Sequence, residues 1–150
     1  MKCDVRDLGA DRAADMARLY GQCFDDIWET SFFEGKLRDS CFAKGIFLKE
    51  VLIGFIFVQS IEDEAEILTF CVHKNHRKQG LGKTLLLEIL KQSKIRRCFL
   101  EVCSDNKAAI ALYERLGFRK KGERKGYYQR QRQKSQKLLH DAIIYVYSKK

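Results

Sequence analysis

The stretch "HKNHRKQGLGKTLL", His73 to Leu86, sets two glycines, four basic side chains and two histidines against the start of an apolar helix. A helix N-terminus leaves its first amide hydrogens unpaired and carries about half a positive charge. Glycines there let an anion, a phosphate above all, come close enough to accept several of those hydrogens. Arg77, Lys78 and Lys83 add long-range attraction and side-chain donors. The spacing is neither G-x-G-x-x-G nor G-x-x-x-x-G-K-[ST], which excludes the dinucleotide fingerprint and the nucleotide P-loop. What stands is Arg77-Lys78-Gln79-Gly80-Leu81-Gly82, R-x-x-G-x-G, between a strand-like and a helix-like run.

Two further residues carry chemistry. Glu101 interrupts the apolar strand-like run "RCFLEVCS", where an unpaired carboxylate is costly to bury. Alternation puts it on the face of Phe99 and Cys103, so that face opens to a cleft or Glu101 finds a partner. Tyr113 shares a helical face with Ala109, Leu112 and Leu116, a pattern that a buried core tyrosine would also show.

The rest of the chain must position these groups. At 150 residues it is read as one domain, 1–150, able to bury roughly two thirds of its unfolded surface. With 45% hydrophobic and 33% charged residues the profile is globular. The charged N-terminus lacks a signal-peptide core, and the longest apolar run, Val51 to Val58, is too short to cross a bilayer, so a cytoplasmic location without membrane contact is expected. The six cysteines form no CxxC pair and no metal-ligand ladder; they read as free thiols, mostly small core hydrophobes, and no metal site is expected.

Periodicity predicts helices over Asp11–Phe24 and from about Trp28 to Phe42, with Gly45 ending the helical part. "IFLKE" and "VLIGFIFVQSI" follow as strands joined near Lys49 and Glu50, then "EAEILTFCVH" after a polar turn at Glu62 to Glu64, an antiparallel meander. The glycine stretch opens a helix with Leu81, Leu85, Leu86, Ile89 and Leu90 on one face. Asn106 caps the helix "KAAIALYERL", which Gly117 terminates. "FRKKGERKGYY" and "DAIIYVYS" are strand-like runs separated by a basic, glutamine-rich connection. The class is α+β.

Net charge is +9, and the segment Arg119 to Lys137 holds nine basic residues against one acid, +8 of it. A solvated hairpin, an arm facing RNA or the ribosome, and a funnel for an acidic ligand are all compatible with that concentration.

R-x-x-G-x-G between strand and helix resembles the acetyl-CoA pyrophosphate loop of the GNAT acetyltransferases. "LEVCSDNKAAIALYERLGF", Leu100 to Phe118, resembles the second signature of their RimI-type ribosomal-protein N-terminal acetyltransferases, and "IWETSFF", "GYY" and "DAIIYVY" agree with it in order. The resemblance implies a three-layer α/β/α fold: a mixed, mostly antiparallel sheet of about seven strands with a central splayed parallel pair, and about four helices. It implies acetyl-CoA as cosubstrate, with the backbone of Phe70, Cys71 and Val72 pairing with the pantetheine arm. Arg77, Lys78, Gln79, Gly80, Leu81, Gly82 and Lys83 would hold the pyrophosphate, and Asn106 and Tyr113 would also touch the cofactor. Glu101 would be the general base and Tyr113 the general acid in direct transfer to a protein α-amine, that of a ribosomal protein with a small first residue. Acetylation of a small amine or lysine side chain, and a non-catalytic ribosome- or RNA-binding scaffold, are the alternatives. "QRQRQKSQKLLH" is longer and more basic than the family's usual connection, which bears on the acceptor and not on the chemistry.

Overall fold

The structure, a computed structural model, describes residues 3–133 and 136–149; for residues 126–133 and 136–140 it describes the backbone alone. Seven strands and four α-helices make up the α+β fold expected from the resemblance. The chain divides into two compact units, Met1–Ile95 and Arg96–Lys150.

In the first unit, strands β1 (Asp4–Leu8), β2 (Cys41–Leu48), β3 (Val51–Ile61) and β4 (Glu64–Val72) pair as an antiparallel meander. Helices α1 (Ala13–Cys23) and α2 (Thr30–Arg38) precede β2, and α3 (Leu81–Leu90) follows β4. β3 is buried continuously from Leu52 to Val58 because helices cover it on both sides. Phe33 of α2 packs edge-on against Phe55 and Phe57, while the side chain of Leu85 in α3 lies beside Gly54. Each fully buried phenylalanine of this cluster adds about 2 kcal/mol over an exposed one.

The second predicted helix is shorter than periodicity suggests. It ends at Arg38, and Cys41–Leu48 is strand, with Gly45 in the middle of β2 instead of ending a helix. Tertiary crowding decides this: a Cβ on Gly45 would come within 2.6 Å of Leu52 and 2.9 Å of Leu8. The β2–β3 turn falls on Lys49 and Glu50 as expected, both with positive φ, as tight hairpin turns require. Arg6 holds Glu50 there through two hydrogen bonds of 2.8 and 2.9 Å.

The second unit contains β5 (Arg97–Cys103), α4 (Lys107–Leu116), β6 (Arg119–Gln133) and β7 (Gln136–Ser148). β7 lies between β5 and β6, antiparallel to both. The expected basic connection is therefore mostly strand: β6 and β7 extend into one long hairpin. α4 begins and ends where its caps predict. Asn106 Oδ1 accepts from Ala109 N at 3.2 Å, and Gly117 takes a left-handed φ of 103°. There a Cβ would also approach the Tyr147 ring to 3.2 Å. All six cysteines are free, with Cys41, Cys71, Cys98 and Cys103 buried. Among the described residues no helix is long and apolar enough to cross a membrane, and no three metal-ligating side chains cluster.

Candidate active site

The first unit gathers the glycine loop, the end of β4 and the start of α3. After β4 a single 3-10 turn, Lys74–His76, is closed by His73, whose Nδ1 accepts from Asn75 N at 3.1 Å. Arg77 is extended and its side chain turns back, so that Nε donates to Val72 O at 2.9 Å. Lys78 and Gly80 then adopt positive φ of 63° and 80°. Two left-handed residues in three reverse the chain into α3.

That helix start differs from its counterpart in the second unit. No side chain caps Gly80, whereas Asn106 caps α4. The Gly80 carbonyl accepts from Thr84 N and Thr84 Oγ1, both at 3.0 Å, which completes the ladder on the acceptor side and leaves the amides of the first turn facing outward. Lys78, Gln79, Gly80 and Lys83 are exposed, and among the described residues neither lysine is spent on an ion pair. The two glycines serve different ends. Gly80 needs its left-handed backbone; Gly82 is helical, and a Cβ there would meet only the Phe70 ring at 3.6 Å. Phe70 and Gly82, both expected at the cofactor, are thus neighbours.

β4 is irregular just before this point. Its register with β3 shifts between Thr69 and Ile67, leaving Leu68 as a bulge ahead of Phe70, Cys71 and Val72.

In the second unit, Glu101 stands on β5 opposite Ile144 of β7, half-buried at 28% exposure. Sequence alternation required a cleft or a partner, and the partner is Arg124, whose Nη2 is 3.0 Å from Oε1. Nothing in the sequence marked Arg124 beyond its membership of the basic segment. Tyr113 is buried, its ring 5.8 Å from that of Phe118 and 6.3 Å from that of Tyr145. Tyr145 pairs with Leu100, so its side chain is on the face of β5 opposite Glu101. Glu101 and Tyr113 therefore approach this strand from opposite faces. Tyr145 also donates to Glu114 at 2.9 Å, anchoring α4; burial and that carboxylate raise its phenol above the ordinary range.

The described part of the basic segment is partly neutralised from within. Lys120 and Lys125 pair with Glu123, Lys125 also with Asp141 at 3.4 Å, and Arg124 with Glu101. Lys134 lies outside the described residues, as do the side chains of Tyr127, Tyr128, Arg130, Arg132 and Lys137.

Residues 11–118 match the Acetyltransferase (GNAT) family. N-alpha-acetyltransferase RimI of Mycobacterium tuberculosis is 32% identical over 131 residues, 81% of this chain and 83% of that protein. The [ribosomal protein bS18]-alanine N-acetyltransferase of Escherichia coli is 38% identical over 80 residues, 51% of this chain. The chain spans 54% of that enzyme's length, and 33% of an uncharacterized Mycobacterium leprae protein to which it is 33% identical over 120 residues. The crystal structure of the E. coli ribosomal-protein-S18-alanine N-acetyltransferase superposes with a TM-score of 0.88 at 25% identity, covering 98% of this chain and 94% of that one. Arabidopsis thaliana NAA60 in complex with acetyl-CoA shares the fold, with a TM-score of 0.82 at 21% identity over 98% of each chain.

Proposed function

Because the chain belongs to the GNAT acetyltransferase family, we propose that it is an N-acetyltransferase that moves the acetyl group of acetyl-CoA onto the α-amino group of a protein, foremost a ribosomal protein with a small first residue. The observation that carries the cofactor half is the uncapped start of α3, flanked by exposed Lys78 and Lys83, which form no ion pair among the described residues; this suits a pyrophosphate. The acceptor half rests on the names of the relatives.

Acetyl-CoA supplies the activated acetyl thioester. Arg77 to Lys83 hold its pyrophosphate, and the backbone of Phe70, Cys71 and Val72 pairs with the pantetheine arm. Asn106 spends Oδ1 on its cap, which leaves its amide N–H groups for the cofactor. A free α-amine titrates at about 8 against about 10.4 for lysine, so at neutral pH it needs less help to become a nucleophile. Glu101 accepts the ammonium proton, and Tyr113 donates its phenol proton to the departing thiolate. The Arg119–Lys137 segment recognises an acidic or RNA-associated partner. The protein works in the cytoplasm.

Labelled acetyl-CoA offered with a panel of acceptors tests this reading. Peptides beginning with alanine or serine become labelled, and acetyl-blocked controls do not. Labelling confined to polyamines or lysine side chains would move the activity to another acceptor class. Cofactor binding with no transfer at all would make the fold a scaffold.

A further inference from the structure

Among the described residues, Arg77 is the one basic side chain of the glycine loop that donates to a backbone carbonyl, through Nε to Val72 O at 2.9 Å. Lys78 and Lys83 are exposed and form no ion pair there. The register of β4 gives that carbonyl its direction. His73 N donates to Ile53 O at 2.8 Å, which makes Ile53 and His73 a hydrogen-bonded pair, and such pairs alternate with open ones along an antiparallel ladder. Phe55 and Cys71 are the next bonded pair, so Cys71 spends its backbone groups on β3, while those of Phe70 and Val72 turn to the other edge of β4. Val72 O accepts there from Arg77, and its other donor, the Cys23 thiol, is weak and 3.7 Å away. Without Arg77 the carbonyl of a half-buried residue would be left nearly unsatisfied.

The bond closes a ring. The chain leaves β4 at Val72, makes the turn Lys74–His76 and returns to Val72 through the side chain of Arg77. Within that ring Asn75 N is bonded to His73 Nδ1 at 3.1 Å and His76 N to His73 O at 2.8 Å. Arg77 stands directly before Lys78 and Gly80, the left-handed residues that turn the chain into α3, so tying it to the strand fixes where that reversal starts. The far end of the loop meets β4 again, with the Phe70 ring 3.6 Å from where a Cβ of Gly82 would be. Strand edge and helix start are thus held together at two points.

We propose that Arg77 is a positioning residue: it clamps the glycine loop to the end of β4 through Val72 O and serves acetyl-CoA by setting the loop amides against the strand. The charge for the pyrophosphate then comes from Lys78 and Lys83. This rests on the cofactor reading above and gives Arg77 an indirect share in it. The donor that matters is Nε, which glutamine can replace, because its Nε2 stands the same number of bonds from Cα and is neutral. Lysine keeps the charge but carries its nitrogen one bond further out, and methionine has similar length with neither donor nor charge.

Two measurements on the whole protein test this. In the cofactor-free protein, amide hydrogen exchange at Asn75 and His76 should quicken roughly tenfold in Arg77→Met and Arg77→Lys and only slightly in Arg77→Gln, with the core of β3 unchanged. By calorimetry, acetyl-CoA affinity should fall about tenfold in Arg77→Met and Arg77→Lys, and roughly two- to threefold in Arg77→Gln. Lysine retaining affinity better than glutamine would make Arg77 a charge on the pyrophosphate and overturn the proposal, as would exchange at Asn75 and His76 that is alike in the parent and Arg77→Met. A parent that shows the exchange pattern yet binds no acetyl-CoA would sink the cofactor reading together with Arg77's service to it. Because the exchange data need no cofactor, that failure is distinct from a failure of the clamp.

Discussion

Glu101 and Arg124 meet at 3.0 Å although the strands that carry them never touch: the bridge spans β7, over Ile144, which pairs with Glu101, and Ala142, which pairs with Arg124. The two side chains are 28% and 50% exposed, so the pair contributes roughly 0–1 kcal/mol to stability. Its consequence is positional. A carboxylate within an apolar strand is held by a cation from the basic segment.

Glu101→Gln keeps the shape of the side chain and loses the ability to accept a proton, so turnover with an alanine-terminated peptide should fall by roughly a hundredfold, as for loss of a general base. Arg124→Gln leaves the base present but less well held, and should lower turnover several-fold. Calorimetry should show acetyl-CoA affinity unchanged in both. Equal losses in the two variants would mean that the ion pair, and not proton transfer, is what the reaction needs.

How much of this was legible in sequence depends on the range of the forces involved. α4 was readable at both ends because its caps are local: Asn106 bonds an amide three residues on, and Gly117 supplies a left-handed residue. The glycine loop was readable for the same reason. The boundary between α2 and β2 was not, because Phe42 continues an apolar helical period, while Gly45 is required by Leu8 and Leu52 on neighbouring strands. Arg124 was hidden within a run of like charges, and only the register of three strands selects it.

Gly82→Val separates fold from cofactor binding. A Cβ there meets only the Phe70 ring at an ordinary 3.6 Å, so the melting temperature should change little. The branched side chain would occupy the space above the first-turn amides, and acetyl-CoA affinity should drop about tenfold or more, about 1.4 kcal/mol. Calorimetry paired with thermal unfolding checks both halves, and unchanged affinity would remove the pyrophosphate from this loop.

The fully buried Cys98 gives a stability test with a defined sign. Burial pushes its thiol up to about 12, while an unfolded thiol titrates at about 8.5. A raised folded value means the contribution is complete below the unfolded value and is lost as pH climbs towards the folded one. Stability should therefore decline by about 1.4 kcal/mol per pH unit from this group alone between about pH 8.5 and 12. Tyr20 and Tyr145, also raised, add to the decline from about pH 10, where unfolded tyrosines ionise. Cys98→Ala leaves a small cavity at pH 7 but lacks the titration, so the parent's advantage in urea midpoint should narrow at pH 10. Parallel declines would show that Cys98 ionises alike in both states.

The basic segment is expected to serve the partner and not the chemistry. Neutralising Arg130, Arg132 and Lys134 should slow acetylation of a ribosome-associated acceptor, more so at low salt, and leave a short peptide's rate nearly intact. Similar losses on both substrates would place these residues in the reaction itself.

Tyr113→Phe is the sharpest test of the acid, because the ring's packing against Phe118 and Tyr145 survives the change and only the hydroxyl goes. Turnover should fall roughly ten- to a hundredfold without loss of the fold or of cofactor affinity. A purely structural tyrosine would give the same drop if its hydroxyl positioned α4, so the leaving group supplies the discriminating readout. The thiolate of CoA is a poor leaving group that gains from protonation, whereas an aryl thiolate, less basic, departs unaided. With an aryl thioester of acetate as donor, Tyr113→Phe should approach the parent rate, while Glu101→Gln should remain slow because deprotonation of the amine is still required. If the aryl donor rescues neither variant or both equally, the division of labour between Glu101 and Tyr113 is wrong. If it rescues Tyr113→Phe alone, the phenol delivers its proton to sulfur and the carboxylate serves nitrogen.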